Sequence, residues 1–350
     1  MRQTNFECVR ILAMLMIITL HDLDKGGFLT NLAGGPLTKV DGLAWLIEAF
    51  CLVAVNVYVL ISGYFANEGT YKFNKVICLW RQVFTYSVVV LLAALAIGIY
   101  PVSQLNLYSG ISFLFPIVTE EYWFATAYVF LFLLMPFLNA GMENISQKTF
   151  QQILAALIFF FCICKSILPM HLPWDHYGYD VLWFICLYLT GAYIRKYGLK
   201  VLRNMGSCVA LYVSMSVLTF LIGLGLHVVY MRTGKLGDFT NYGYTYNYIT
   251  CFLGSLGLFG IGMHLKQVEG KAANWIVKIS GATFGVYLLH EHPAVRSLWQ
   301  GWLGADAVKQ SFLMIPQVIG SVIIVFVAGT VIELGRQQLE GWIGNLCRKA

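Results

Sequence analysis

The chain has 350 residues, of which 59% are hydrophobic and only 11% charged, and its mean hydropathy is +0.71. That balance excludes an ordinary soluble domain and points to a polytopic membrane protein. The net charge of +6 is spread without a long basic run interleaved with aromatics, so it reads as topology and excludes a nucleic-acid partner.

In chain order, apolar runs long enough for a hydrocarbon core of about 30 Å are predicted at 6–23, 43–65, 77–99, 122–140, 151–169, 181–197, 206–230, 245–264, 275–291 and 311–334. They predict an all-α integral membrane protein: a single bundle of about ten transmembrane helices over residues 1–350, with no separate soluble domain. The first run ends in His21-Asp22-Leu23-Asp24 without a small-residue cleavage site, so it is expected to be retained. With a cytoplasmic N-terminus, most of the 23 Lys and Arg residues fall on the cytoplasmic side, including Arg10, Lys72, Arg81, Arg195, Lys196, Arg348 and Lys349. The positive-inside rule then places both termini in the cytoplasm. The longer outer stretches near 24–42, 100–121, 231–244 and 292–310 carry Gly, Pro, Tyr and acidic residues, which suits loops that partly roof a cavity.

The nine cysteines lie inside the runs or at their cytoplasmic ends and read as small apolar fillers. Gly254, Gly257, Gly260 and Gly262 in the eighth run predict close helix approach. No dinucleotide, Walker-type or HExxH string occurs, so nucleotide hydrolysis and zinc proteolysis have no sequence support. The chemistry concentrates in the first run. Arg10 and His21 are eleven residues apart, which on an α-helix returns a side chain to nearly the same face about 16 Å further along. Ionisable residues at such depth mark function more often than decoration.

The segment Arg10-Ile11-Leu12-Ala13-Met14-Leu15-Met16-Ile17-Ile18-Thr19-Leu20-His21 resembles the R-x10-H signature of the membrane-bound acyltransferase type 3 family. Further landmarks follow in order. Ile61-Ser62-Gly63-Tyr64-Phe65 closes the second run and Arg81 opens the third. Tyr122-Trp123-Phe124 opens the fourth, with Pro136 toward its end, and Tyr287-Leu288-Leu289-His290 ends the ninth. The resemblance covers essentially the whole chain.

It implies transfer of an acetyl or short acyl group from cytoplasmic acyl-CoA to a hydroxyl of a cell-surface polysaccharide or lipid-linked glycan. The implied setting is the inner (cytoplasmic) membrane, with acetyl-CoA as donor substrate and no tightly bound cofactor or metal. No esterase-like segment follows the tenth run in this chain, so the membrane part is expected to complete the transfer. The expected roles are His21 as general base, Arg10 and Arg81 as cations for the donor's anionic end, Ser62 and Tyr64 on the donor side, and Trp123, Tyr287 and His290 on the acceptor side. No cysteine or serine pairs obviously with His21, so direct transfer is expected rather than an acyl-enzyme.

Each role has a plainer rival. Arg10 can anchor topology by pairing with Glu7 one turn earlier, and Arg81 can serve only the positive-inside bias. Ser62 and Tyr64 can serve helix packing, Trp123 can belong to an aromatic belt, and His290 can belong to a polar helix end with Glu291 and His292. The alternative activity is a proton-coupled transporter or flippase of a polar lipid-linked sugar, which would favour paired, broken spans in two halves. Oligomeric state is not legible, because lipid-facing and buried apolar faces look alike in sequence.

Overall fold

The computed structural model describes residues 2–65, 73–168 and 170–347, and no strand occurs among them. Lys72, Arg348 and Lys349 of the expected basic side lie outside the described residues. The helices are α1 (Thr4–Lys25), α2 (Lys39–Cys51), α3 (Ala54–Tyr64), α4 (Asn74–Ala96), α5 (Leu107–Leu114), α6 (Trp123–Glu143), α7 (Gln147–Ile158), α8 (Cys164–Ile167), α9 (Val181–Tyr197), α10 (Met205–Thr233), α11 (Ile249–His264), α12 (Gly270–His290), α13 (Trp299–Trp302) and α14 (Met314–Cys347). A π-helical turn, Phe159–Ile163, joins α7 to α8.

The helix starts are written in local chemistry. Thr38 and Asp41 form a reciprocal capping box ahead of α2, and the side chains of Asp180 and Asn204 accept from the first turns of α9 and α10. At the other end, α12 stops at His290, three residues before Pro293, whose ring disfavours helical geometry in the residue before it.

All ten expected spans fall on helices. Among the described residues, six helical segments are long and apolar enough to cross a membrane: Lys39–Tyr64, Asn74–Ala96, Trp123–Glu143, Gln147–Ile167, Met205–Thr233 and Met314–Trp342; Ile249–His264 is a shorter apolar helix. Only 17% of the apolar window of Met205–Thr233 is buried, against 72% for Lys39–Tyr64. Apolar faces turned outward on this scale are what a hydrocarbon solvent requires and water would penalise. The protein is a multi-pass membrane protein.

The chain forms two compact units, one from residues 1–27, 81–122 and 267–350 and the other from 28–80 and 123–266. In the first, α1, α12 and α14 pack against one another. Glu333 of α14 takes two 2.7 Å bonds from Arg336 on its own helix and one of 2.8 Å from Tyr86 Oη of α4. A side chain at Gly285 of α12 would collide with that carboxylate.

In the second unit, α3 packs on α9 and α10 on α11. A Cβ at Gly257 would lie 2.5 Å from Tyr212 N, and one at Gly260 2.5 Å from Cys208 Sγ, so two of the four glycines marked in the sequence sit at a helix contact too close for a side chain. Asn56 is fully buried; it donates to the Tyr246 carbonyl at 2.8 Å and accepts from Trp183 Nε1 at 3.0 Å. Asn56→Leu leaves both of these partners buried and unmatched, at a cost of about 1–3 kcal/mol. Thermal unfolding in detergent checks this as a lowered midpoint. Lys165, also fully buried, pairs with Asp175 at 2.8 Å and places its ammonium 3.2 Å from the Tyr242 ring. Among the described residues eight cysteines are free thiols, five of them buried.

Candidate active site

In the first unit, the C-terminal turns of α1 and α12 bring His21 and His290 together. His21 Nδ1 lies 3.0 Å from His290 Nε2, and the rings are 5.2 Å apart between centroids. Glu291, the residue just after α12, places Oε1 3.3 Å from the same His21 nitrogen and is also bonded to the Lys25 ammonium. Short α13 secures both helix ends. Trp299 Nε1 donates to the His290 carbonyl at 3.2 Å and Gln300 Nε2 to the His21 carbonyl at 3.3 Å.

His21 keeps 18% of its side chain exposed, whereas His290 is buried. Of the two rings, His21 is the more accessible. Tyr287 packs on His290 and on Tyr122. Asp22 is fully buried beside Gln317 of α14. His21, His290 and Glu291 are spaced closely enough to hold a metal ion. The Lys25 ammonium, however, already rests on the Glu291 oxygen that a metal would use, which favours the hydrogen-bonded arrangement.

Just beyond α12, His292 is buried, stacked on Phe113 and bonded to the Ser87 carbonyl at 3.0 Å. Burial pushes its pKa down to about 4. The unfolded chain takes up that proton first, so this residue removes stability as pH falls from 6.5 toward 4.

One helical face below His21, Arg10 is part-exposed and bonded to buried Glu7 at 2.9 Å. Glu7 is held in turn by Ser280 of α12. Arg10 is thus a fixed cation tied to the α1–α12 contact. Arg81 is exposed and reaches Glu340 of α14 at 3.3 Å, and Glu340 also takes Arg336 at 2.7 Å.

The remaining expected residues lie in the second unit. Ser62 donates to the Tyr58 carbonyl at 3.0 Å and sits 3.1 Å from Tyr128 Oη, which is the packing role for a membrane serine. Tyr64 lines a small, half-open cleft with Met142, Phe150, Arg195 and Lys196. Arg195 stacks over the Tyr64 ring at 4.9 Å and donates to its hydroxyl at 3.3 Å. The Tyr64 ring holds the Arg195 guanidinium in place, and two neighbouring cations suit an anion. Trp123 is half-buried in an aromatic cluster with Tyr179 at 4.5 Å and Tyr246 at 5.6 Å.

Sequence reasoning passed over Glu291, Lys25 and the capping pair Trp299 and Gln300. Glu291 stood beside His290 as a possible signal, but only the fold shows that it faces α1. Arg195 and Lys196 were read as topology alone, because nothing in the sequence ties them to Tyr64.

No curated protein and no solved structure matches the chain. Residues 3–334 match the acyltransferase 3 family, described as an acyltransferase domain. Because that match takes in both histidine-bearing helices and nearly everything between the termini, the chain belongs to the acyltransferase 3 family.

Proposed function

We propose that the protein moves an acetyl or short acyl group from cytoplasmic acyl-CoA to a hydroxyl of a cell-surface polysaccharide or lipid-linked glycan, from a position in the inner membrane. The observation that carries this reading is the His21–His290 pair with Glu291 beside it in a chain of an acyltransferase family. A sugar hydroxyl is a poor nucleophile, and imidazole is the side chain best placed to take its proton near neutral pH. In the proposed step the acceptor O–H bond breaks, its proton goes to His21, and the oxygen bonds the thioester carbon. The C–S bond then breaks, and His21 returns the proton to the departing CoA thiolate.

The donor's phosphates call for fixed positive charge. Arg10 offers it on α1, and Tyr64 with Arg195 and Lys196 offers it in the second unit. The basic bias of the sequence puts these groups on the cytoplasmic side, together with both termini. Within this reading the whole chain acts as one membrane acyltransferase domain, with Arg81 a further donor-side cation and Trp123 and Tyr287 on the acceptor side.

Purified protein in detergent is expected to release CoA from acetyl-CoA when a hydroxylated glycan acceptor is supplied. Translocation of an intact lipid-linked sugar without CoA release would favour a carrier instead. Arg10→Ala is expected to weaken acetyl-CoA affinity by about tenfold or more by calorimetry, with Arg10→Lys restoring only part, because a point charge replaces a bidentate fork. Thermal stability must be recorded alongside, since Arg10→Ala also leaves the buried Glu7 carboxylate without its nearest cation. Unchanged affinity would make Arg10 a topology anchor.

A further inference from the structure

The acceptors around the histidine pair fix where its protons sit. A carbonyl oxygen can only accept, so the 2.7 Å contact between His290 Nδ1 and Val286 O requires a proton on that nitrogen. In the neutral ring this leaves a lone pair on His290 Nε2, which faces His21 Nδ1 at 3.0 Å. His21 must then supply the hydrogen, from Nδ1. Glu291 Oε1, 3.3 Å from that nitrogen, is a second acceptor that asks for a proton in the same place. The nitrogen of His21 left with a free electron pair is Nε2.

We propose that His290, supported by Glu291, is a positioning residue that locks His21 in the tautomer with its lone pair on Nε2, making Nε2 the atom that accepts the acceptor hydroxyl's proton. The inference rests on His21 being the base. It gives His290 a role other than contact with the sugar, in keeping with its burial behind His21.

The same geometry serves the charged state. When Nε2 takes a proton, the new imidazolium keeps Nδ1–H directed at a lone pair and a carboxylate, the arrangement that orients and stabilises a catalytic histidine. The charged groups near the pair are Asp22, Asp24 and Lys25 on α1 and Glu291 and Arg296 after α12. Lys25 and Arg296 oppose the imidazolium, and Glu291, whose carboxylate lies 3.3 Å from His21 Nδ1, offsets them at the ring. The lock is built into α12 itself: Val286 and His290 are one turn apart, and the helix ends at the residue that completes the site.

The test uses full-length protein with ¹⁵N-labelled histidine in lipid nanodiscs. The His21 resonances are assigned by difference from His21→Ala, and kcat and KM for acetyl-CoA are measured on the same preparations across pH. The wild type is expected to show His21 protonated at Nδ1 and bare at Nε2. In His290→Ala the His21 ring should populate both tautomers. In that variant kcat should fall by about 10- to 10³-fold with KM for the donor little changed, and its pH profile should be displaced. His290→Gln places an amide oxygen where Nε2 stood and should restore part of kcat.

A wild-type His21 protonated at Nε2 overturns the proposal, and so does a His290→Ala protein with unaltered tautomer, kcat and pH profile. Should His290→Ala fail to fold, the wild-type tautomer alone decides. Full activity in His21→Ala would instead remove the base reading on which the inference rests, whatever the tautomer.

Discussion

His21→Ala is expected to leave membrane insertion and acetyl-CoA binding close to wild type while lowering acyl transfer by roughly 10²–10⁴-fold, the usual worth of a positioned acid–base group. Binding should survive because the fixed cations proposed for the donor, Arg10 with Glu7 and Arg195 with Tyr64, do not depend on the His21 ring. Structure should survive because Glu291 retains Lys25, and His290 retains both Val286 and the cap from Trp299. The loss should therefore appear in kcat rather than in KM for the donor. His21→Gln should be nearly as poor, since an amide hydrogen-bonds but takes up no proton near neutral pH. Stopped turnover at equal expression, with intact acetyl-CoA affinity, is the expected pair of results. Lost affinity together with lost turnover would mean that the ring holds the fold or the donor and not the proton.

The largest structural effect is expected at the crossing of α3 and α9. A Cβ at Gly191 would lie 2.3 Å from the Leu60 carbonyl oxygen and 2.8 Å from Tyr64 N, and one at Gly63 would lie 2.0 Å from the Tyr188 oxygen. All three neighbours are backbone atoms, which cannot swing aside as a side-chain tip would. Gly191→Ala must therefore push the two helices apart along a contact that also carries Tyr64. A cost of about 3 kcal/mol or more follows, at or above the upper end of ordinary overpacking. Gly42→Ala in α2 is the control, because nothing lies within 4 Å of its added methyl. It should be neutral or slightly stabilising through better helix propensity. Thermal denaturation of both variants in the same detergent checks the contrast, and equal midpoints would contradict the close crossing.

Much of this is legible in the sequence, for reasons that differ from element to element. Composition and apolar run length placed a helix at every expected span, since a membrane leaves the backbone few other solutions. The return of Arg10 and His21 to one face followed from the period of the α-helix alone. The family resemblance drawn from Arg10, His21 and the later landmarks agrees with the match over residues 3–334.

What stayed hidden was long-range pairing. His290 is 269 positions from His21, and no local pattern says which of its nitrogens faces a carbonyl and which a second ring. Glu291 read as a polar helix end because the sequence did not show Lys25 and His21 opposite it. Nor does any local pattern show that Lys165 is buried between Asp175 and two tyrosine rings. The division into two compact units was also invisible, because each unit collects segments from distant parts of the chain.

The most direct measurement is transfer of labelled acetyl from acetyl-CoA to a glycan acceptor in membranes holding equal amounts of wild-type and His21→Gln protein. The wild type should label the acceptor and release an equal amount of CoA, and His21→Gln should do neither above background. Equal labelling by the two proteins would contradict a base at His21.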